Sequence, residues 1–264
     1  MILKQKLKYL QIALNTTPQN AKEIIQCLPL SERILIEVGT PLIKNYGINT
    51  VYQVKNWYLE KFYPQYYQEK IKKPSYTTKS IFNSSSNKTN NKEKLIQSQN
   101  QEIIKEPYIV ADLKCADLAK REVLMAKDAG ASAATCLGNA PIATIDKFIE
   151  SCQKVDIDSM IDMMNIENPI LILKLLKKLP DVVILHRGVD ETQKNKEKHI
   201  PYYQIKQIKG FSNKILVGIA GGDEIEEIRH AILNDVDIVI LWEDFYHPSP
   251  EITNITNSFL NEIR

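Results

Sequence analysis

Residues 108–117 read Tyr-Ile-Val-Ala-Asp-Leu-Lys-Cys-Ala-Asp, an apolar run that passes into three charges. If the run is a strand, side chains alternate between faces, so Asp112 and Lys114 share one face and Leu113 takes the other. A carboxylate then lies beside an ammonium at the strand's end. Asp117, three residues on at the start of a helix, adds a second carboxylate within reach of the same place. Burying such charges without partners is costly, so they pair, bind a ligand or stay in water. A solvated salt bridge satisfies this pattern by itself, and what distinguishes chemistry from packing is what other strands bring alongside.

Two apolar strands, 10–14 and 33–39, precede this stretch, with helices over 19–28 and 43–62. After it, strands over 133–138, 154–162, 182–185, 215–220 and 238–242 alternate with helices over 118–129, 142–152, 170–179, 200–209 and 223–234. A last helix closes the chain. Strands that are apolar throughout and alternate with helices indicate a parallel sheet covered on both faces. Eight strands with about eight helices predict an α/β fold, a (β/α)8 TIM barrel, as a single domain over 1–264. The rhythm breaks over about 64–107, a segment rich in Lys, Asn, Ser, Gln and Tyr. With little to bury, it reads as a largely disordered insertion before the third strand.

At 44% hydrophobic and 25% charged, the 264 residues suffice for one large core. A net charge of +2 gives no electrostatic case for nucleic acid or a membrane surface. Tyr63, Tyr66, Tyr67 and Tyr76 lie near lysines in or beside the insertion, a pattern that fits a solvated linker better than RNA stacking. Cys27, Cys115, Cys136 and Cys152 form no C-x-x-C pair and read as reduced thiols of a cytoplasmic protein, with Cys115 a passive small residue. The apolar run near the N-terminus is too short for a signal segment, and nothing approaches the roughly 20 apolar residues that span a bilayer.

In such a barrel the C-terminal strand ends face one shared mouth. The polar residues there are Asn15, Glu37, Asp112, Lys114, Asp162, His186 and the pair Gly221-Gly222. So many polar groups from six strands exceed what packing requires. Glu37 and Asp112 supply hard oxygen ligands suited to Mg²⁺, which takes one or two carboxylates and keeps several waters. His186 can act as general acid or base near neutral pH.

The stretches Leu10-Gln11-Ile12-Ala13-Leu14, Glu37-Val38-Gly39-Thr40-Pro41-Leu42-Ile43-Lys44, Ala111-Asp112-Leu113-Lys114-x-x-Asp117, His186-Arg187-Gly188-Val189-Asp190 and Ala220-Gly221-Gly222 resemble 3-hexulose-6-phosphate synthase. That family lies within the orotidine-5'-phosphate decarboxylase suprafamily. The resemblance implies a Mg²⁺-dependent aldol reaction between formaldehyde and ribulose 5-phosphate, or its reverse. It assigns Glu37 and Asp112 to the metal, proton movement to His186, and substrate hydrogen bonds to Lys114. Asn15, Asp162, Gly221 and Gly222 would bind substrate. It also implies a homodimer with sites at the interface, Asp117 reaching into the partner's site. The chain departs from the pattern in three places. Asn15 stands where the family has Asp; the eighth strand ends Trp242-Glu243-Asp244 in place of a Gly-rich phosphate contact; and Asp223-Glu224 follow Gly222. Two alternatives stand beside this reading. One is a suprafamily member with another substrate, using decarboxylase or enolate chemistry; the other is a non-catalytic dimeric paralogue.

Overall fold

The computed structural model describes residues 1–72, 105–195, 199–221 and 225–263. Its elements run β1 (Tyr9–Leu14), α1 (Pro18–Cys27), β2 (Ile34–Val38), α2 (Thr40–Tyr46), α3 (Asn49–Phe62), α4 (Pro64–Lys72) and β3 (Tyr108–Cys115). They continue with α5 (Ala119–Asp128), β4 (Ala133–Leu137), α6 (Ile142–Lys154), β5 (Asp158–Asp162), α7 (Pro169–Leu175), β6 (Val182–His186), α8 (Val189–Lys194) and α9 (Tyr203–Phe211). The last are β7 (Leu216–Ala220), α10 (Ile225–Leu233), β8 (Ile238–Leu241), a 3₁₀ turn (Glu243–Phe245) and α11 (Ile252–Glu262). The eight strands form a closed barrel in sequence order, all parallel, with β1 pairing both β2 and β8 to close the ring. The chain is the (β/α)8 barrel that the strand and helix rhythm predicts.

Burial on both faces explains the apolar strands. On β1, Leu10, Ile12 and Leu14 pack outwards under the helices, while Tyr9 and Ala13 join the cluster inside the barrel. Leu35, Val110, Met160, Val182 and Leu216 fill that interior, which is a packed core and not a pore. At the N-terminal face Asp158 accepts from the Ile2 and Leu3 N–H groups at 2.6 and 3.1 Å and from the Tyr108 hydroxyl at 2.8 Å. Leu3 packs on the interior cluster there. That face is covered, and the barrel opens at the C-terminal strand ends. No helix among the described residues is long and apolar enough to cross a membrane.

Several boundaries differ from the sequence reading. The expected helix over 43–62 is two helices, because Gly47, at φ +84°, ends α2. The strand read over 154–162 begins only at Asp158: α6 runs to Lys154, which pairs with Glu150, and Asp156 turns the chain at φ +54°. Residues 189–194 form a helix that apolar periodicity does not predict. The first residues of the expected insertion are helical, as α4. Tyr63, Tyr66 and Tyr67 share one helical face and pack on the core, which holds α4 in place. At its far end Lys105 N–H donates to the Tyr63 hydroxyl and Lys55 pairs with Glu106. Residues 73–104, the body of the expected insertion, lie outside the described residues.

Candidate active site

At the end of β3 the pairing register shifts between Ala111 and Cys115, and Lys114 adopts φ +45°. Such bulges re-aim side chains. Here the Lys114 N–H turns to the Thr135 hydroxyl oxygen at 3.0 Å, and both Asp112 and Lys114 face the cavity at the barrel mouth. Asp112 is buried and firmly held. Its Oδ1 accepts from the Thr135 hydroxyl at 2.7 Å, and its Oδ2 accepts from the Thr40 hydroxyl at 2.6 Å and the Thr40 N–H at 3.3 Å. Thr40 opens α2, so the positive end of that helix faces the carboxylate.

Lys114 bridges two strands. Its Nζ lies 3.3 Å from Asp112 Oδ2 and 2.8 Å from Asp162 Oδ2. Burial disfavours its charge, but the carboxylates of Asp112 and Asp162 outweigh that and hold its pKa above the usual lysine value. The same Asp162 oxygen lies 2.8 Å from His186 Nδ1, and Oδ1 accepts the Met164 N–H at 2.9 Å. Burial would raise the Asp162 pKa, yet His186 and Lys114 together bring it down to about 2. Asp162 therefore stays ionised and grips the imidazole by Nδ1. The other ring nitrogen, Nε2, is left to the cavity that His186 lines.

Glu37 is buried beside this cluster, with Oε2 accepting from Gln11 Nε2 at 2.5 Å. Burial first, then the neighbouring Asp112 carboxylate, pushes its pKa up to about 8. Two hard carboxylates forced together in a buried place are a donor set that a small divalent cation relieves. Among the described residues no group of three or more His, Cys, Asp or Glu side chains is arranged to hold a metal. A cation at Glu37 and Asp112 would take its remaining ligands from water and substrate, which is the habit of Mg²⁺. The residues present fit that ion.

Of the positions anticipated at the mouth, Asn15, Glu37, Asp112, Lys114, Asp162, His186 and Gly221 all line one cavity of about 1010 Å³. Gly222 lies outside the described residues, as do Asp223 and Glu224. Asp117 is the exception. Its side chain is exposed and does not line this barrel's cavity. Asn15 leans over β2: a Cβ on Gly39 would stand 1.8 Å from its Oδ1, so the glycine makes room for the amide. Cys115 is buried, and its contact with Cys136, then burial, raises its pKa.

Sequence reasoning did not find Thr40, Thr135 and Gln11, which position the carboxylates. The one available signal was a polar residue inside an otherwise apolar strand, as at Gln11 and Thr135. Arg187, Thr192, Gln193, Tyr246 and His247 also line the cavity. Their contribution depends on how α8 and the segment after β8 fold, which periodicity does not encode.

A model of the orotidine 5'-phosphate decarboxylase / HUMPS family matches residues 86–241. A "Bifunctional enzyme Fae/Hps" of Methanocella arvoryzae is 34% identical over 237 residues, covering 88% of this chain and 48% of that protein. The chain spans about half the length of the curated relatives it matches. Among solved structures, 3-hexulose-6-phosphate synthase from Salmonella typhimurium superposes with a TM-score of 0.68 at 20% identity, over 97% of this chain and 100% of that one. The 3-keto-L-gulonate-6-phosphate decarboxylase of Vibrio cholerae gives 0.65 at 17% identity, over 98% of each chain. The structural likenesses carry the barrel fold, and the sequence match carries the family. This chain belongs to the orotidine 5'-phosphate decarboxylase / HUMPS family.

Proposed function

We propose that the cavity is the active site of an aldol lyase of the 3-hexulose-6-phosphate synthase type, joining formaldehyde to C1 of a 2-ketose or releasing it. The observation that carries this reading is the Asp112–Lys114–Asp162–His186 chain of contacts beside Glu37. The two-part names of the relatives, each including Hps, support the same chemistry. The motif resemblance makes ribulose 5-phosphate the first ketose to test.

In the condensing direction a proton leaves C1 of the ketose, and the C1 carbanion, delocalised as an enediolate, bonds to the formaldehyde carbon. The former aldehyde oxygen takes up a proton. His186 accepts and returns these protons through Nε2, since Asp162 occupies Nδ1 and fixes the ring. Lys114, kept charged by its two carboxylates, donates to the developing enediolate oxygens. Asp162 acts as a positioning residue for both. Asn15 and the Gly221 backbone contact the substrate at the rim. Mg²⁺ held by Glu37 and Asp112 would supply Lewis-acid stabilisation of the same negative charge.

We further propose a cytoplasmic homodimer in which the exposed Asp117 completes the partner's site; its position outside its own cavity supports that reading. The test of the chemical assignment is solvent-deuterium exchange at C1 of ribulose 5-phosphate. His186→Ala is expected to slow exchange on the order of 100-fold or more with Mg²⁺ affinity unchanged. Exchange at the wild-type rate would remove His186 from its role.

A further inference from the structure

Gln11 lies inside the barrel, below the charged site. Alternation along β1 turns Leu10, Ile12 and Leu14 to the helices and Tyr9, Gln11 and Ala13 to the interior. Gln11 is fully buried and pairs with Leu35 on one side and Ile240 on the other, both members of the interior apolar cluster. Its Nε2 donates towards the mouth, to Glu37 Oε2 at 2.5 Å. Its own Oε1 is buried without a hydrogen-bond partner among the described residues. An orphaned amide oxygen among apolar side chains is a cost that a hydrocarbon side chain of the same length would avoid. Among the described residues the amide makes one hydrogen bond, and that bond goes to a candidate metal ligand.

Resting on the assignment of a divalent cation to Glu37 and Asp112, we infer that Gln11 is a positioning residue that restricts Glu37 to one metal-binding oxygen and so sets the site's preference for a small octahedral cation over Ca²⁺. Gln11 occupies Oε2, and Oε1 is left to the cavity that Glu37 lines. Asp112 is restricted in the same way from the other side. Its Oδ2 accepts the Thr40 hydroxyl and N–H and stands 3.3 Å from Lys114 Nζ, whereas Oδ1 accepts only the Thr135 hydroxyl among the described residues. Two carboxylates with one open oxygen each suit Mg²⁺ or Mn²⁺, because the narrow bite of a two-oxygen carboxylate does not fit a regular octahedron. Ca²⁺ is larger, takes about six to eight oxygens in flexible geometry and often uses both oxygens of one carboxylate. Without the Gln11 N–H, Glu37 is free to turn both oxygens to the ion, which suits Ca²⁺ and spoils the arrangement that Mg²⁺ requires.

The full chain would be titrated with Mn²⁺, free ion being counted by electron paramagnetic resonance, and the bound Mn²⁺ competed with Mg²⁺ and with Ca²⁺. Wild type is expected to release Mn²⁺ to Mg²⁺ at a concentration at least about tenfold below that of Ca²⁺, and Glu37→Ala to lose the bound ion. Gln11→Met, which keeps the length and removes the donor, is expected to weaken Mg²⁺ about tenfold and to leave Ca²⁺ within about threefold. Gln11→Leu is expected to do the same. Mg²⁺ affinity within about twofold of wild type in these variants would overturn the inference. So would equal weakening of both ions, since a barrel that is merely looser treats them alike. If neither variant folds, the wild-type competition decides, and a wild type that does not discriminate between the ions overturns the inference by itself. No binding of Mn²⁺, or binding that survives Glu37→Ala, would overturn the metal assignment and the inference with it. Binding requires no turnover. A protein that shows this selectivity yet neither exchanges protons nor consumes formaldehyde would refute the aldol reading and leave the role of Gln11 standing.

Discussion

Asp162 receives Lys114 Nζ and His186 Nδ1 on one oxygen, each at 2.8 Å, and offers the other to a backbone N–H. Removing it would release the imidazole from its orientation and leave Lys114 with one carboxylate. Its pKa is about 2 in the folded chain against a usual 3.8. A depressed folded value stabilises the protein above the unfolded pKa, and that contribution is lost as pH falls through the folded one. Asp162 is therefore expected to contribute about 2 kcal/mol near neutral pH, fading between about pH 4 and pH 2. Urea unfolding of wild type and Asp162→Asn across that range checks this. Their stabilities should differ at pH 6 and converge as the carboxylate protonates; a gap that persists undiminished at pH 2 would refute the ion-pair account.

The elements that carry these side chains depend on a few backbone positions. Gly221 follows β7 at φ +87°, and a Cβ there would lie 2.1 Å from the Arg187 carbonyl oxygen. Neither the conformation nor the space suits an L side chain. Gly221→Ala is expected to cost about 2 kcal/mol or more, read as a lowered urea midpoint, and to push on the Arg187 backbone directly after His186. A midpoint within error of wild type would mean that this turn adapts freely. The same scale shows what the residues themselves reveal. Strands such as 34–38 and 182–185 were legible because burial on both faces leaves an unbroken apolar signal. The α6–β5 boundary was not, since Val155 and Ile157 extend that signal backwards through a turn made by Asp156. α8 has six residues and no buried side chain, so it has no apolar face to detect. The charged half of the site was legible as polar residues at strand ends. Thr40 and Thr135 were not, because a threonine that holds a carboxylate looks like any other until the strands are placed in register.

At the scale of the molecule, one covered face and one open face fix where chemistry can occur. The interior cluster and the Asp158 contacts with Ile2 and Leu3 cover the N-terminal end, so every polar strand end converges on one mouth. Of the anticipated positions among the described residues, Asp117 is the one that does not line it. If Asp117 serves a second copy, mixing the Asp117→Ala and His186→Ala proteins is expected to restore activity that neither has alone, because each mixed dimer contains one intact site. No recovery from a mixture shown to exchange subunits would mean that Asp117 works in its own barrel or not at all. The measurement that bears most directly on the central claim is formaldehyde consumption by the purified chain with Mg²⁺ and a ketose, ribulose or ribulose 5-phosphate, before and after chelation. The assignment of Glu37, Asp112, Lys114 and His186 requires consumption with at least one ketose, loss of it on chelation, and its return with added Mg²⁺. A folded, dimeric protein that consumes formaldehyde with neither ketose, or that does so equally well without the metal, would contradict it.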